Sequence, residues 1–486
     1  MSIPIPPLVE NDLPKREKSF WRMTGPGAVM IGMSIGSGEM ILWPWITAKF
    51  GSGMVWAAAL GVFIQLWVNF EIGRWAIATG ESAFTGFARF SKFSIYYFMA
   101  ILGMSALLPA WARTTGIALR TMLFGFDGPD ANRTGPDWMY SDWVWTALIF
   151  ATVFVILFGP KKMYATIERV ISFLVVIIIG GMLIVAISIG TFGDAIEFAK
   201  GFLKVGQVQF DDEFTPLRFF GAIVFAGAGG FGNLYYAYYL RDKGIGMGAK
   251  IPALSNPLRG AEKGEATVGF VPRDDEENRK RFKDWFKFVI LDNTFFFWIL
   301  NSITMFMFMF GAFVVLFPQG IVPSQNDFLW DLSAMLETTM GTWGRYLFFV
   351  IAMAAMFSTQ LAVSDGGYRL WTDLLHTNFQ WARRWAPNQW YLALAIILSS
   401  IGIVSTFILE TFPAVSALDF FFYNAVLGGF AMALYVPLLL VINIKYLPQS
   451  ARPKPLNILM VVIAAATYIS FALFVVFDKI SGLFAA

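Results

Sequence analysis

A chain in which stretches of about twenty apolar residues recur from end to end has few ways to fold. Such stretches lie near 25–49, 53–79, 94–124, 142–158, 164–190, 217–240, 287–316, 345–368, 390–409, 413–446 and 456–478 of the 486 residues. Each is long enough to cross the hydrocarbon of a bilayer as a helix, in which every backbone N–H and C=O is satisfied inside the segment. The sequence therefore predicts an all-α integral membrane protein of about eleven spans. Charge density agrees: only 14% of residues are Asp, Glu, Lys or Arg, against about 25% in a soluble domain. A soluble enzyme is excluded.

Loop charge gives an orientation, because Lys and Arg gather on the cytoplasmic side. Placing the N-terminus inside puts Arg89 and Lys92, Lys161 and Lys162, the 241–286 loop, Arg383 and Arg384, and Lys445, Arg452 and Lys454 on that side. The opposite loops are acidic: 317–344 holds Asp327, Asp331 and Glu337 and no Lys or Arg, and 191–216 is net acidic. The expected location is a bacterial inner (plasma) membrane. Residues 1–24 are polar and Pro-rich and read as a cytoplasmic tail, since they lack the apolar core of a signal peptide. The long 241–286 segment reads as a solvated cytoplasmic loop. Asn132-Arg133-Thr134 fits a glycosylation acceptor pattern in an outer loop, one match that decides nothing.

Two spans are interrupted by glycine. The first carries Gly36-Ser37-Gly38-Glu39 at its middle, and the sixth carries Gly227-Ala228-Gly229-Gly230-Phe231-Gly232-Asn233. Glycine weakens a helix by about 1 kcal/mol per site relative to Ala, so both clusters favour unwinding at mid-membrane. Interrupted helices opening two halves of five spans point to an inverted-repeat secondary transporter. The expected organisation is a first repeat over 25–190 (spans 1–5), an extracellular linker over 191–216, a second repeat over 217–446 (spans 6–10), and an eleventh span with the C-terminus over 447–486. The competing reading of the glycines is close helix packing through small residues.

Further residues place the chain near a known family. Gly25-Pro26-Gly27 opens span 1, Thr79-Gly80 closes span 2, and span 3 holds Gly116 and Leu123-Phe124-Gly125. Ile167-Glu168, Asn233-Leu234-Tyr235, and Asp292 with Asn301 follow in spans 5, 6 and 7. In order and spacing these resemble the Nramp family of divalent-metal transporters, within the amino acid–polyamine–organocation superfamily that has the LeuT fold. The resemblance implies two inverted five-helix repeats with a site between spans 1 and 6. The family's Asp-Pro-Gly-Asn falls on Gly36 to Glu39, and its Met-Pro-His-Asn falls on Gly230, Phe231, Gly232 and Asn233. Its second span 6 histidine falls at Ala237, and its proton-carrying acid pair of span 3 near Ala110 and Arg113. The usual metal ligands and proton-path acids are thus replaced, which removes the soft-ligand selectivity.

What remains is Glu39, a carboxylate that costs about 2.5–3.5 kcal/mol at mid-membrane and is functional by default. It can bind a cationic substrate, carry a coupling proton, or pair with Arg74 or Arg113. Trp43 lies one helical turn on, on the same face. Phe231 and Tyr236 flank the second break, with Tyr235, Tyr238 and Tyr239 beside it. Aromatic faces with one carboxylate suit an organic cation such as an amine or guanidinium, although 51 Phe, 18 Trp and 15 Tyr place aromatics near any site. An alternative metal site uses Glu39, Asn233 and backbone carbonyls, a hard-oxygen set for Mg²⁺ or Mn²⁺. A third substrate is an amino-acid-type solute held by N–H groups of Gly36, Ser37 and Gly38.

For coupling by H⁺ or Na⁺, or for lining the path, the candidates are Asp292 and Asn301 in span 7, Ser358, Thr359 and Asp365 in span 8, and Arg113; Asp419, near the start of span 10, is a candidate gate of the outer vestibule or a solvated terminus. Glu71 and Arg74 lie three apart and are expected to pair. Glu168 is expected at the cytoplasmic edge, as is His376, the only histidine. No nucleophile motif stands out, there is no cysteine, and neither cofactor nor nucleic-acid partner is expected. The function expected is alternating-access transport of a small cation.

Overall fold

The computed structural model describes residues 4–16, 19–124, 136–161, 163–259, 269–412 and 415–485. The Asn132-Arg133-Thr134 pattern lies outside the described residues. Eight helices are long and apolar enough to cross a membrane, and the first of these, Pro26–Thr79, contains two spans in succession. The shorter apolar helix Asp142–Phe158 and the interrupted pair Pro216–Val224 and Gly232–Asp242 complete the expected set.

Span 1 comprises helices Pro26–Ser34 and Trp43–Phe50 joined by a π-helical stretch, Ile35–Leu42. Span 2 is Val55–Thr79, span 3 bends between Phe93–Ala106 and Ala110–Phe124, and span 5 is Met163–Ile189. Spans 8 to 11 are Thr342–Asn378, Pro387–Thr411, Ala417–Tyr446 and Pro455–Ala485. Helix ends follow local chemistry. Pro26 and Pro216 occupy first-turn positions, where a missing N–H costs nothing. Asp275 caps span 7 by accepting from the Asn278 N–H at 2.8 Å, and Ser416 caps span 10 by accepting from Asp419 N–H at 3.2 Å. Span 8, 37 residues long, runs through the middle and packs against spans 1, 3, 5 and 9.

Three expectations change. The first is the break in span 1: the chain there is wound as a wide π-turn and is not unwound. Its glycines serve close approach, as the packing alternative holds. The second concerns the segment 241–286. Span 7 begins earlier, as the polar helix Glu276–Asp292, and the strand Phe270–Pro272 pairs in parallel with Val9–Asn11. The third is the N-terminal tail, which is docked by that same pairing. Leu13 is fully buried, its N–H donates to Asn278 Oδ1 at 2.7 Å, and the Trp285 indole donates to the Pro14 carbonyl at 2.7 Å. Apolar residues scattered through a polar segment, here Ile5, Leu8 and Leu13, are enough to pin it to the core.

An additional helix, Ala83–Phe90, lies between spans 2 and 3. It inserts Phe84 and Phe87 against Phe98. That short segment falls below the length of a span, so periodicity alone leaves it unassigned.

Candidate functional site

The break in span 6 is real and sharply built. Helix Pro216–Val224 stops, and the chain resumes as Gly232–Asp242. Gly229 and Gly230 between them have φ of +55° and +50°, a left-handed conformation that only glycine adopts cheaply. Gly230 also lies against the backbone of span 10, where a β-carbon would stand 2.6 Å from the Gly428 α-carbon.

Peptide groups freed at a break need partners inside protein, and here neighbouring spans supply them. Gln65 of span 2 donates to the Val224 carbonyl at 2.7 Å and accepts from the Gly229 N–H at 3.0 Å. Tyr435 of span 10 donates to the Gly230 carbonyl at 2.8 Å. The Gly230 N–H points at the Met432 sulfur, 3.3 Å away. Asn233 donates to Gln65 Oε1 at 3.2 Å and to the Tyr435 oxygen at 3.4 Å, while its own Oδ1 has no partner. Gln65, Tyr435 and Met432 were not singled out from sequence. Gln65 was the findable one, as a lone amide in an apolar span.

Span 1 lies directly on this break. A β-carbon at Gly38 would stand 1.3 Å from the Phe225 carbonyl oxygen, and one at Gly36 would stand 2.0 Å from Thr359 Oγ1. Ser37 shares the same π-turn. Glu39 follows, fully buried, with the side chain of Asn301 from span 7 facing it. Neither carboxylate oxygen of Glu39 has a hydrogen-bond partner among the described residues. Asn301 donates to the Ala226 carbonyl, within the break, at 3.4 Å. Trp43 is fully buried one turn beyond, its indole N–H also unpartnered.

The two arginines that sequence offered as mates for Glu39 are engaged elsewhere. Arg74 pairs with Glu71 at 2.8 Å, as expected from their spacing. Arg113 pairs with Asp142 of span 4 at 2.9 Å, which removes it from the centre. Two aromatic candidates also turn away. Phe231 packs on Phe84 and Phe98, and the Tyr236 hydroxyl donates to Asp292 at 2.9 Å. Helix rotation decides this: the chain at the break turns Phe231 toward the Ala83–Phe90 helix and span 3, and the resumed helix turns Tyr236 toward span 7. Gly232 instead meets a thioether, since a β-carbon there would stand 3.4 Å from Met33 Sδ.

Span 8 contributes hydroxyls to backbone carbonyls of span 1. Ser358 Oγ lies 2.7 Å from the Gly32 carbonyl oxygen, and Thr359 Oγ1 lies 3.0 Å from that of Met33. Both hydroxyls also approach the Ala355 carbonyl, at 2.9 and 3.1 Å. Five oxygens thus converge beside the π-turn. Asp365 is tied into a separate buried network, accepting from Arg369 at 2.9 Å and from Tyr391 at 2.7 Å. Arg369 also bonds Asp242 at the end of span 6. Asp419 bonds Arg218 at the start of span 6. Among the described residues, no group of three or more His, Asp or Glu is placed to hold a metal ion.

The architecture recurs in solved structures. A mutant form of the manganese transporter of Eremococcus coleocola superposes with a TM-score of 0.69 over 99% of this chain and 91% of that one, at 15% identity. The fold is that of the LeuT-type transporters. Mhp1, a nucleobase-cation-symport-1 family transporter in a closed conformation with bromovinylhydantoin bound, matches with a TM-score of 0.51 over 93% of this chain and 90% of that one, at 15% identity. MhsT in complex with L-phenylalanine matches with a TM-score of 0.50 over 94% and 99%, at 18% identity. No protein-family model and no characterised protein matches the chain in sequence. This LeuT-type fold is the one that the resemblance to the Nramp family implied.

Proposed function

We propose that the chain is a secondary active transporter that moves a small cation by alternating access, with Glu39 as the charge that receives it. The observation that carries the reading is the Glu39 carboxylate itself, fully buried between the π-turn and the broken span, with both oxygens unpartnered. A buried anion without a mate is costly, and a cationic ligand or a proton offsets that cost. The partners are the solute, a coupling H⁺ or Na⁺, and the lipid bilayer. The oxygens of Gly32, Met33, Ala355, Ser358 and Thr359 form the set suited to Na⁺. The proposed placement is a bacterial inner membrane with the N-terminus in the cytoplasm, which the Lys and Arg of the loops favour. The two five-span halves act as repeats that rock about the site.

The substrate class is an organic cation such as an amine or guanidinium, favoured by the Trp43 face. A metal ion is the second reading, and a specific observation favours it: the thioethers of Met33 and Met432 flank the break. Soft donors of that kind restore part of the transition-metal preference that the loss of a span 6 methionine had removed. The neighbours include both kinds: one is a manganese transporter, and the others hold L-phenylalanine and bromovinylhydantoin.

Uptake into proteoliposomes of Mn²⁺, Mg²⁺, guanidinium, amines and amino acids, each with Glu39→Gln in parallel, tests the proposal. Uptake of one cation that depends on Glu39 supports it. Mn²⁺ uptake unchanged in Glu39→Gln removes the role given to that residue, and uptake of an organic cation in chelator ends the metal reading.

A further inference from the structure

A second buried carboxylate lies toward the N-terminal end of the same helices. Asp292, in span 7, is fully buried and accepts from Tyr236 through Oδ2, while Oδ1 has no hydrogen-bond partner among the described residues. It lies against the first turn of span 1, where a β-carbon on Gly27 would stand 2.7 Å from Oδ2. The helix N-terminus there favours an anion. The ionisable groups facing Asp292 are Tyr236 and Lys243 from span 6 and Tyr164 and Glu168 from span 5. Lys243 is bonded to Glu168 at 2.6 and 2.8 Å. Glu168 itself lies against Gly25, and that ion pair is about a fifth exposed (21% and 22%). The protein surface thus begins close to Asp292, at this ion pair.

Between Glu39 and Asp292 runs a file of polar groups. Asn301 faces Glu39, Gln65 holds Asn233, and on the same face of span 2 one and two turns on come Asn69 and Gly73. A β-carbon on Gly73 would stand 3.3 Å from Tyr236 Cε1, and Tyr236 reaches Asp292. Asn69, midway, is fully buried with neither its nitrogen nor its oxygen partnered. The Oδ1 atoms of Asn301, Asn233 and Asn293 are unpartnered as well. Buried amides of this kind are ordinarily satisfied by water, so this file is where water would enter.

We propose that Asp292 is a proton-binding site, that water along this file joins it to Glu39, and that its protonation loosens the hold of span 7 on the cytoplasmic end of span 1. The inference deepens the transport reading and rests on it. A proton fits the donor set better than a metal ion, because one free carboxylate oxygen is enough for it. In the charged state Asp292 is held by Tyr236 and the span 1 N-terminus. When a proton from cytoplasmic water bonds to Oδ1, the charge that the helix end attracts is gone. The reverse step returns the proton to water, and no other bond changes. This supplies a titrating group in place of the span 3 acids, whose position holds Arg113, itself committed to Asp142.

The chain has no cysteine, so a single introduced thiol reports without background. Asn69→Cys in proteoliposomes is labelled from the cytoplasmic side with a small cationic thiol reagent between pH 5 and 8. Rates are divided by those of the unfolded protein at each pH, in NaCl and in choline chloride. The expected result is labelling whose normalised rate rises at least threefold on acidification in both salts, a rise absent when Asp292→Asn is added. No labelling, or the same rise with Asp292→Asn, or a dependence on Na⁺ and not on pH, overturns the proposal. If the Asp292→Asn protein does not fold, Tyr236→Phe is read instead. Loss of a donor to the carboxylate moves the midpoint to higher pH, and an unmoved midpoint overturns the site. Because labelling needs no substrate, a pH response without any uptake would count against the transport reading alone.

Discussion

The α-carbon of Gly38 rests on the carbonyl oxygen of Phe225, so close that a β-carbon at position 38 would lie 1.3 Å from that oxygen. The π-turn of span 1 and the last turn before the span 6 break therefore touch backbone to backbone. Gly38→Ala is expected to force the two apart and to lower stability by about 1–3 kcal/mol, the usual cost of overpacking. Thermal unfolding in detergent reads this, with Gly103→Ala and Gly180→Ala as controls, since a β-carbon at either meets nothing within 4 Å.

Tyr435→Phe removes the donor to the Gly230 carbonyl and a partner of Asn233 while keeping the ring. An orphaned buried carbonyl costs about 1–3 kcal/mol. The melting temperature is expected to fall and uptake to weaken together, because the same hydroxyl holds the broken segment in shape. A melting temperature equal to that of the unaltered protein would show that the break is held by other contacts.

Glu39→Gln separates function from stability. The carboxylate makes no hydrogen bond among the described residues, and an amide of the same shape, still facing Asn301, removes the cost of burying a charge. Cation uptake is expected to disappear while the melting temperature stays level or rises. A marked drop in melting temperature would mean that Glu39 is a structural charge.

Arg369→Met breaks the buried group that joins Asp242, Asp365 and Tyr391. Leaving two carboxylates without their cation costs about 3–5 kcal/mol. The yield of monodisperse protein is expected to collapse, and adding Asp242→Asn and Asp365→Asn should recover part of it. No recovery would argue that the guanidinium is needed for packing and not for charge.

The spans, their order and the glycine clusters were legible because each depends on a local run of residues. Arg74 and Glu71 were also legible, being three apart on one helix. Arg113 was not: its partner Asp142 sits on another span. Tyr236 and Phe231 looked like site residues because they border the break in sequence, yet the rotation of the resumed helix sends them to Asp292 and to Phe84. Gly36 and Gly38 illustrate the same limit. Composition cannot distinguish a glycine that unwinds a helix from one that lets another backbone approach.

What the sequence alone determined is the all-α membrane architecture, since bilayer thickness ties apolar run length to a span, together with the place of the interruption in span 6. Only the tertiary structure decided that span 1 stays wound and that Arg74 and Arg113 pair away from Glu39. It also decided that Ser358 meets the carbonyl of Gly32, 326 positions away. Those facts depend on how helices rotate and pack against one another. That is set by contacts between residues far apart in the chain, which no local pattern encodes.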